Sequence, residues 1–264
     1  MSMFKKLIFI SLLFALTLLN NAFADQNNEF ILKKNDPSII KDCHEGINRT
    51  IFSINKGLDN VIFEPVAKVY RTFPTPIRNG VSNSLNNLSN LVTIPNNLLQ
   101  GDFELASENT GRFVINTTLG ILGFIDVADK IGFSKYEKED YGQSFAKMGV
   151  GPGCYIVLPV LGPSTIRDTS ASLVNLVGGD AWYNVTVKNN TQHFEDSDYI
   201  VSRLGAGINF RAKNIESFDN LEKNAIDFYA SVKSLYLQDR QQKILNSNEI
   251  IEAMDDSDWD EIDN

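Results

Sequence analysis

The chain has 264 residues, of which 43% are hydrophobic and 22% charged, a composition that folds. A net charge of −9 excludes a nucleic-acid surface built on clustered Lys and Arg, and two cysteines exclude a disulfide-dense scaffold or a four-cysteine zinc site. The acidity is concentrated at the C-terminus, where eight acids and no Lys or Arg follow Asn248, so 247–264 is expected to be a disordered acidic tail.

At the N-terminus, Lys5 and Lys6 precede the apolar run Leu7 to Leu19, and Ala22-Phe23-Ala24-Asp25 follows. A positive start, a short apolar stretch and small residues at −3 and −1 describe an export signal over 1–24, cleaved between Ala24 and Asp25. The run of about 13 residues falls short of the roughly 20 that span a bilayer as a helix. No later stretch reaches that length without charges or prolines. The mature chain is therefore expected to be exported without an ordinary transmembrane helix.

From Glu45, apolar residues recur at helical spacing: Ile47, Ile51, Ile54, Leu58, Val61 and Ile62. Pro65 can start a second helical segment. Thr75-Pro76 reads as the N-cap and first turn of the next, carrying Ile77, Val81, Leu85 and Leu88. Asn90 to Gln100 reads as a separate helix interrupted at Pro95, and Asp102 as the cap of a helix through Phe103, Leu105, Phe113, Val114 and Ile115. Short helices are expected near Asp126–Ile131 and Asp140–Met148, and Ser164 is expected to cap a helix from Thr165 to Val177. Two long helices close the chain, roughly Ser197–Phe218 and Leu221–Leu245. The strand candidates are Tyr155–Leu158 and Tyr183–Lys188, enough for one small hairpin. With no internal repeat or linker, 25–246 reads as one mostly α domain.

The segment Gly149 to Ser164 breaks the helical rhythm. Gly151-Pro152-Gly153 forbids a regular helix, yet the flanks are as apolar as a core. Such a loop lies either beneath helices or against acyl chains.

Catalytic and metal-binding patterns are not found. Gly149-Val150-Gly151 lacks the third glycine of a dinucleotide fingerprint, and Ser164 lacks the flanking glycines of a nucleophile elbow. Asp42-Cys43-His44-Glu45 packs four potential ligands together, but adjacent side chains diverge and helical metal pairs sit three or four residues apart. His193 stands alone. The expectation is no enzyme, no metal and no cofactor. An exported chain permits a Cys43–Cys154 bridge, and the sequence leaves that pairing open.

Several stretches in order resemble the MlaA (VacJ-like) family of outer-membrane phospholipid transport proteins of Gram-negative bacteria. They are Glu45-Gly46-Ile47-Asn48-Arg49 with Leu58-Asp59 and Pro65-Val66-Ala67; Pro76-Ile77-Arg78-Asn79-Gly80 with Leu99-Gln100-Gly101; and Gly111-Arg112-Phe113 through Gly123-Phe124-Ile125-Asp126. Two more follow: Asp140-Tyr141-Gly142-Gln143 through Gly162-Pro163-Ser164-Thr165-Ile166-Arg167-Asp168, and Asp227-Phe228-Tyr229 with Tyr236-Leu237-Gln238. The resemblance spans roughly Asp42 to Arg240. It implies a single-domain ring of amphipathic helices in the inner leaflet of the outer membrane, on its periplasmic side. Such a ring would pass mislocalised phospholipid from the outer leaflet through an amphipathic channel to a periplasmic lipid carrier protein, beside a trimeric porin in some members. It implies no catalysed reaction. Many members are lipoproteins with a cysteine at the signal cleavage site. Here the first cysteine is Cys43, so an N-terminal lipid is not expected, and a soluble periplasmic lipid-binding protein is the alternative.

A lipid passage needs a wettable side for headgroups and an apolar side for chains. Asn48, Arg49 and Asn55, then Arg112, Asn116 and Asp126, then Arg167 and Asp168, are the expected polar wall, since charges facing lipid are costly. Gly149, Gly151, Gly153, Tyr155, Leu158, Pro159 and Leu161 are the expected apolar gate, with glycine supplying the freedom to move.

Overall fold

A computed structural model describes residues 33–245. Ala24 and Asp25 of the expected cleavage site, and the expected acidic tail 247–264, lie outside the described residues. Helix α1 (Glu45–Leu58) continues through a π-helical turn, Asp59–Phe63, into α2 (Glu64–Arg71). The long α3 (Thr75–Leu99) and α4 (Phe103–Thr118) form a helical hairpin, followed by the short α5 (Val127–Lys130) and α6 (Tyr141–Lys147). Strands β1 (Tyr155–Leu158) and β2 (Gly162–Thr165) pair antiparallel, with Tyr155 opposite Thr165 and Leu158 opposite Gly162. Helices α7 (Ile166–Val174), α8 (Ala181–Tyr183), α9 (Asp196–Lys213), α10 (Ile215–Asn224) and α11 (Phe228–Leu245) complete the described chain. The protein is mostly helical with one small two-stranded sheet.

Aspartate caps start the helices of the middle segment, of which the sequence reading named Asp102. Asp102 accepts from the Leu105 N–H at 2.9 Å, Asp126 from Asp129 at 3.1 Å and Asp140 from Gln143 at 3.0 Å, each satisfying a donor that the helix itself leaves open. The cap of α7 differs from expectation. Thr165, at the end of β2, accepts from the Asp168 N–H at 3.2 Å, while Ser164 pairs with Thr169. That helix ends at Val174 and passes into a π-helical turn, Asn175–Gly179, where Gly178 has a φ of 136°.

Four further expectations are corrected. Asn90 to Gln100 is no separate helix: α3 runs unbroken across Pro95, and the Asn96 side chain donates to the Val92 carbonyl at 2.8 Å beside the missing N–H. Tyr183–Lys188 is no strand: Asn184–Lys188 is a π-helical turn, seeded where the Asp180 carboxylate caps α8 and Thr186 bonds back to the Trp182 carbonyl. Ser197–Phe218 divides at Asn214 into α9 and α10. The last helix begins at Phe228 rather than Leu221, after Ala225 turns extended with a ψ of 132°.

The polarity of the helices is unusual. Ile47, Ile54 and Val61, members of the apolar stripe from α1 into the π turn, are 60%, 56% and 75% exposed, while Asn48 is 3% exposed. On α3, Ile77 is exposed, whereas Ser82, Asn87, Asn90, Thr93, Asn96 and Asn97 are buried. Among the described residues, buried polar side chains outnumber buried hydrophobic ones. No helix among them is long and apolar enough to cross a membrane.

Candidate functional site: polar seams inside an apolar shell

The α3–α4 seam is built from asparagine. Asn109 donates to the Asn97 side-chain oxygen at 3.0 Å, and Asn87 donates to the Thr117 hydroxyl at 2.8 Å. Asn109, Arg112 and Asn116 fall at i, i+3 and i+7, one face of α4. Arg112 is 2% exposed; it donates to Asp126 at 2.7 Å and to the Ser134 carbonyl at 2.6 Å. Asn116 donates to the same carboxylate at 2.9 Å and accepts from the Ala128 N–H at 2.9 Å. The structure therefore brings Arg112, Asn116 and Asp126 together as one bonded group holding the loop after α4. That loop is apolar and exposed, with Leu119, Ile121 and Leu122 at 69%, 67% and 72%. Its polar backbone is turned inward. The N–H groups of Leu122, Gly123 and Ile125 reach the carbonyls of Thr117, Asn116 and Gly120 at 3.1, 2.7 and 2.8 Å, which suits a loop facing hydrocarbon.

Asn48 and Asn55, two helical turns apart, clamp the β-hairpin. Asn48 donates to the Tyr155 carbonyl at 3.1 Å and accepts from the Val157 N–H at 3.0 Å. Asn55 donates to the Leu158 carbonyl at 2.8 Å and accepts from the Val160 N–H at 2.7 Å. A Cys43–Cys154 disulfide ties the start of α1 to the same strand, with Cα atoms 5.7 Å apart. The expected gate loop is thus divided. Tyr155 and Val157 are buried, whereas Val160 and Leu161 at the tip are 57% and 79% exposed. Gly149 and Gly153 take φ of 85° and 69°, a region open to glycine, and Gly151 lies beside the Lys34 side chain.

Arg167 and Asp168 belong to a third group. Arg167 bonds to Asp168 at 2.9 Å and to Asn35 at 2.6 Å. Arg240 of α11 reaches Asp168 at 3.0 Å and grips Asp140 through both nitrogens at 2.7 and 3.0 Å. Burial pushes the Asp140 carboxyl up, but its bonds to Arg240 outweigh this and hold it at about 2. Asp168, bonded also to Tyr236, is likewise held below the ordinary carboxylate value, as Arg240 and Arg167 overcome burial. Burial instead raises Glu139.

Arg49 stands apart from the other expected wall residues, on an open groove of about 680 Å³ between α1 and the start of α11. The expected wall residues therefore form four bonded groups: the hairpin clamp, the Arg112 group, the Arg167–Asp168 group and Arg49. Sequence reasoning did not pick out Arg240, Asp227 or Tyr229 as site residues. Asp227-Phe228-Tyr229 entered the sequence reading only as a stretch of the family resemblance and Arg240 only as its end, because the partners of these residues lie far away along the chain. Among the described residues no three His, Cys, Asp or Glu side chains are grouped to hold a metal ion.

Polar seams inside and apolar side chains outside, on a helical frame, define a protein whose surface is matched to lipid. The chain belongs to the MlaA lipoprotein family, whose model matches residues 40–243. It is 35% identical over 210 residues to the intermembrane phospholipid transport system lipoprotein MlaA of Shigella flexneri, covering 78% of this chain and 79% of that one. The protein of that name from Escherichia coli K12 is 34% identical, with the same coverage. A Rickettsia bellii protein is 32% identical over 207 residues, covering 78% of this chain and 77% of its own. Among solved structures, a chain described under "Structural basis for maintenance of bacterial outer membrane lipid asymmetry" superposes with a TM-score of 0.63 at 32% identity, covering 77% of this chain and 99% of that one.

Proposed function

We propose that this protein is a phospholipid-passing component of a bacterial outer membrane, serving intermembrane phospholipid transport and the lipid asymmetry of that membrane. The observation that carries the reading is the inverted polarity of its helices. An exterior of Ile, Leu, Val and Phe is stable where the surroundings are acyl chains, and buried Asn, Ser, Thr and Arg hold helices together where apolar contact gives no advantage over lipid. In this reading the ring lies in the inner leaflet. It removes mislocalised phospholipid from the outer leaflet through an amphipathic channel and passes it to a periplasmic lipid carrier, with a trimeric porin as neighbour.

The eight polar residues from Asn48 to Asp168 and the apolar segment Gly149–Leu161 are our assignment for the channel walls. Their support is chemical. The bonded groups fix polar atoms without exposing unpaired charge to lipid, and the hairpin tip offers Val160 and Leu161 to acyl chains. Moving a lipid between surroundings breaks no bond, so the reading needs no nucleophile or general base.

The test is expression of the protein in a strain lacking its MlaA, with outer-membrane barrier function, membrane fractionation and mass spectrometry of copurifying lipid as readouts. Restored barrier function, a membrane-bound protein and copurified phospholipid are expected. Restored function with the protein in the soluble periplasmic fraction would favour the soluble lipid-binding alternative. No restoration and no lipid would overturn the reading.

A further inference from the structure

The groove between α1 and α11 has the size of a ligand site and carries charges of both signs. Its α1 side presents Arg49, Phe52, Lys56 and Gly57, and its far side presents Ile226, Asp227 and Phe228. Arg49 pairs with Asp227 through two bonds of 2.6 and 3.1 Å, and Lys56 pairs with Glu222. Both cations also lie over rings, Arg49 at 4.4 Å from the Tyr229 centroid and Lys56 at 5.5 Å from that of Phe228. Nothing lies within 4 Å of a Cβ placed on Gly57, so the floor of the groove is open there. Ile226 at the rim is fully exposed, an apolar group without cover.

We propose that this groove binds the headgroup of a zwitterionic phospholipid of the phosphoethanolamine kind, with its phosphate on Arg49 and Lys56 and its ammonium on Asp227. The inference rests on the phospholipid function proposed above and names its preferred substrate class. The headgroup enters by exchange with the ion pairs already in the groove. The ion pairs are exposed, with Arg49 and Asp227 at 41% and 40%, and such pairs are weak enough to open. A zwitterion replaces the Arg49–Asp227 pair with two new ones, guanidinium to phosphate and carboxylate to ammonium, while Arg49 keeps its bond to Glu45 at 2.7 Å and the exposed Glu222, released by Lys56, turns to water. An anionic headgroup satisfies Arg49 but leaves the Asp227 carboxylate facing negative charge. The guanidinium fork matches phosphate as well as it matches carboxylate. The rings of Phe52, Phe228 and Tyr229 favour a cation above them, and Ile226 is placed to meet the first methylenes of an acyl chain.

The test places a photocrosslinking amino acid at Gly57 in the full-length protein and exposes it to vesicles of equal parts phosphatidylethanolamine and phosphatidylglycerol. Captured lipid is identified by mass spectrometry. Phosphatidylethanolamine is expected in excess, and Asp227→Asn is expected to shift the captured ratio toward phosphatidylglycerol by roughly five-fold, the scale of one exposed ion pair. Asparagine can still cap α11, so the variant keeps the helix start. Glu222→Gln should shift the ratio the same way. An ion pair that merely holds α1 to α11 would lower capture of both lipids and leave the ratio unchanged, which would overturn the proposal. Equal competition by water-soluble glycerophosphoethanolamine would also overturn it, by showing a site for free phosphodiesters rather than lipid. Phospholipid that copurifies but is never captured at position 57 would overturn the groove alone, whereas absence of any bound phospholipid would remove the underlying function as well.

Discussion

Between α3 and α4 the polar contacts are made by Asn87 with Thr117 and by Asn97 with Asn109, while Val114, Leu119 and Leu122 stand exposed. Around β1 the contacts are made by rings. Tyr155 lies 6.1 Å from Tyr229, Phe52 lies 5.4 Å from Tyr229, and Ile40, Val157 and Leu237 fill the cluster. In water, apolar burial is worth roughly 25 cal/mol per Å², so the α3–α4 arrangement forgoes the main stabilising term while the aromatic cluster uses it. In hydrocarbon that term vanishes, and polar contacts with close approach hold helices instead. The pair therefore teaches that one part of the molecule is built like a membrane bundle and another like a water-soluble core, joined in one chain.

That contrast can be broken by perturbing each side. The largest effect is expected at the disulfide, which spans a sequence separation of 111 residues. Cys43→Ser is expected to cost about 5 kcal/mol on the chain-entropy estimate for so long a loop. Thermal unfolding in detergent with and without reductant measures it. Hydrogen exchange should show the loss at β1 and α11, with α3 and α4 still protected. Next is Arg112→Ala, which leaves Asp126 and the Ser134 carbonyl without their buried donor. A loss of about 3 kcal/mol is expected, now confined to α4 and the loop beyond it. Arg112→Lys should recover part of it, keeping the charge but not both bonds.

Tyr229→Phe is expected to cost about 2 kcal/mol, the scale of a hydrogen bond to a charged group, because the Tyr229 hydroxyl donates to Asp42 inside the aromatic cluster. A comparable effect that depends on pH is carried by Asp140. Its carboxyl is held at about 2 against an ordinary 3.8, so the stability it contributes is complete above pH 4 and is lost as pH falls toward 2. Asp168 acts in the same direction. Acid unfolding followed by tryptophan fluorescence should begin near pH 4, and Arg240→Gln should weaken that acid dependence.

Much of the frame was legible because its signals are local. Asp102 announced its helix as a cap, the stretches Asp126–Ile131 and Asp140–Met148 read as short helices, and the apolar run after Gly153 announced β1. The burial of each face was not legible, because helical periodicity places Ile47 and Ile54 on one stripe of α1, and Ile77 on that of α3, without saying whether protein or lipid lies against it. Pro95 suggested a break that the surrounding helix absorbs, and the β-branched Val185-Thr186-Val187 suggested a strand that has no partner. Arg112, Asn116 and Asp126 could be picked out as a polar group in an apolar segment, and they do bond to one another. The bonds from Arg240 to Asp140 and from Asn55 to Leu158 join residues about a hundred positions apart, and no local pattern carries that information.

The central claim is that the exposed apolar surface faces acyl chains. Its most direct measurement is the accessibility of spin labels on single cysteines introduced at Leu122 and at Glu108, in protein reconstituted into phospholipid vesicles. Collisions of the Leu122 label with oxygen, which concentrates in hydrocarbon, should far exceed those with a water-soluble nickel chelate, and the Glu108 label should show the reverse. Equal chelate accessibility at both positions would contradict the account.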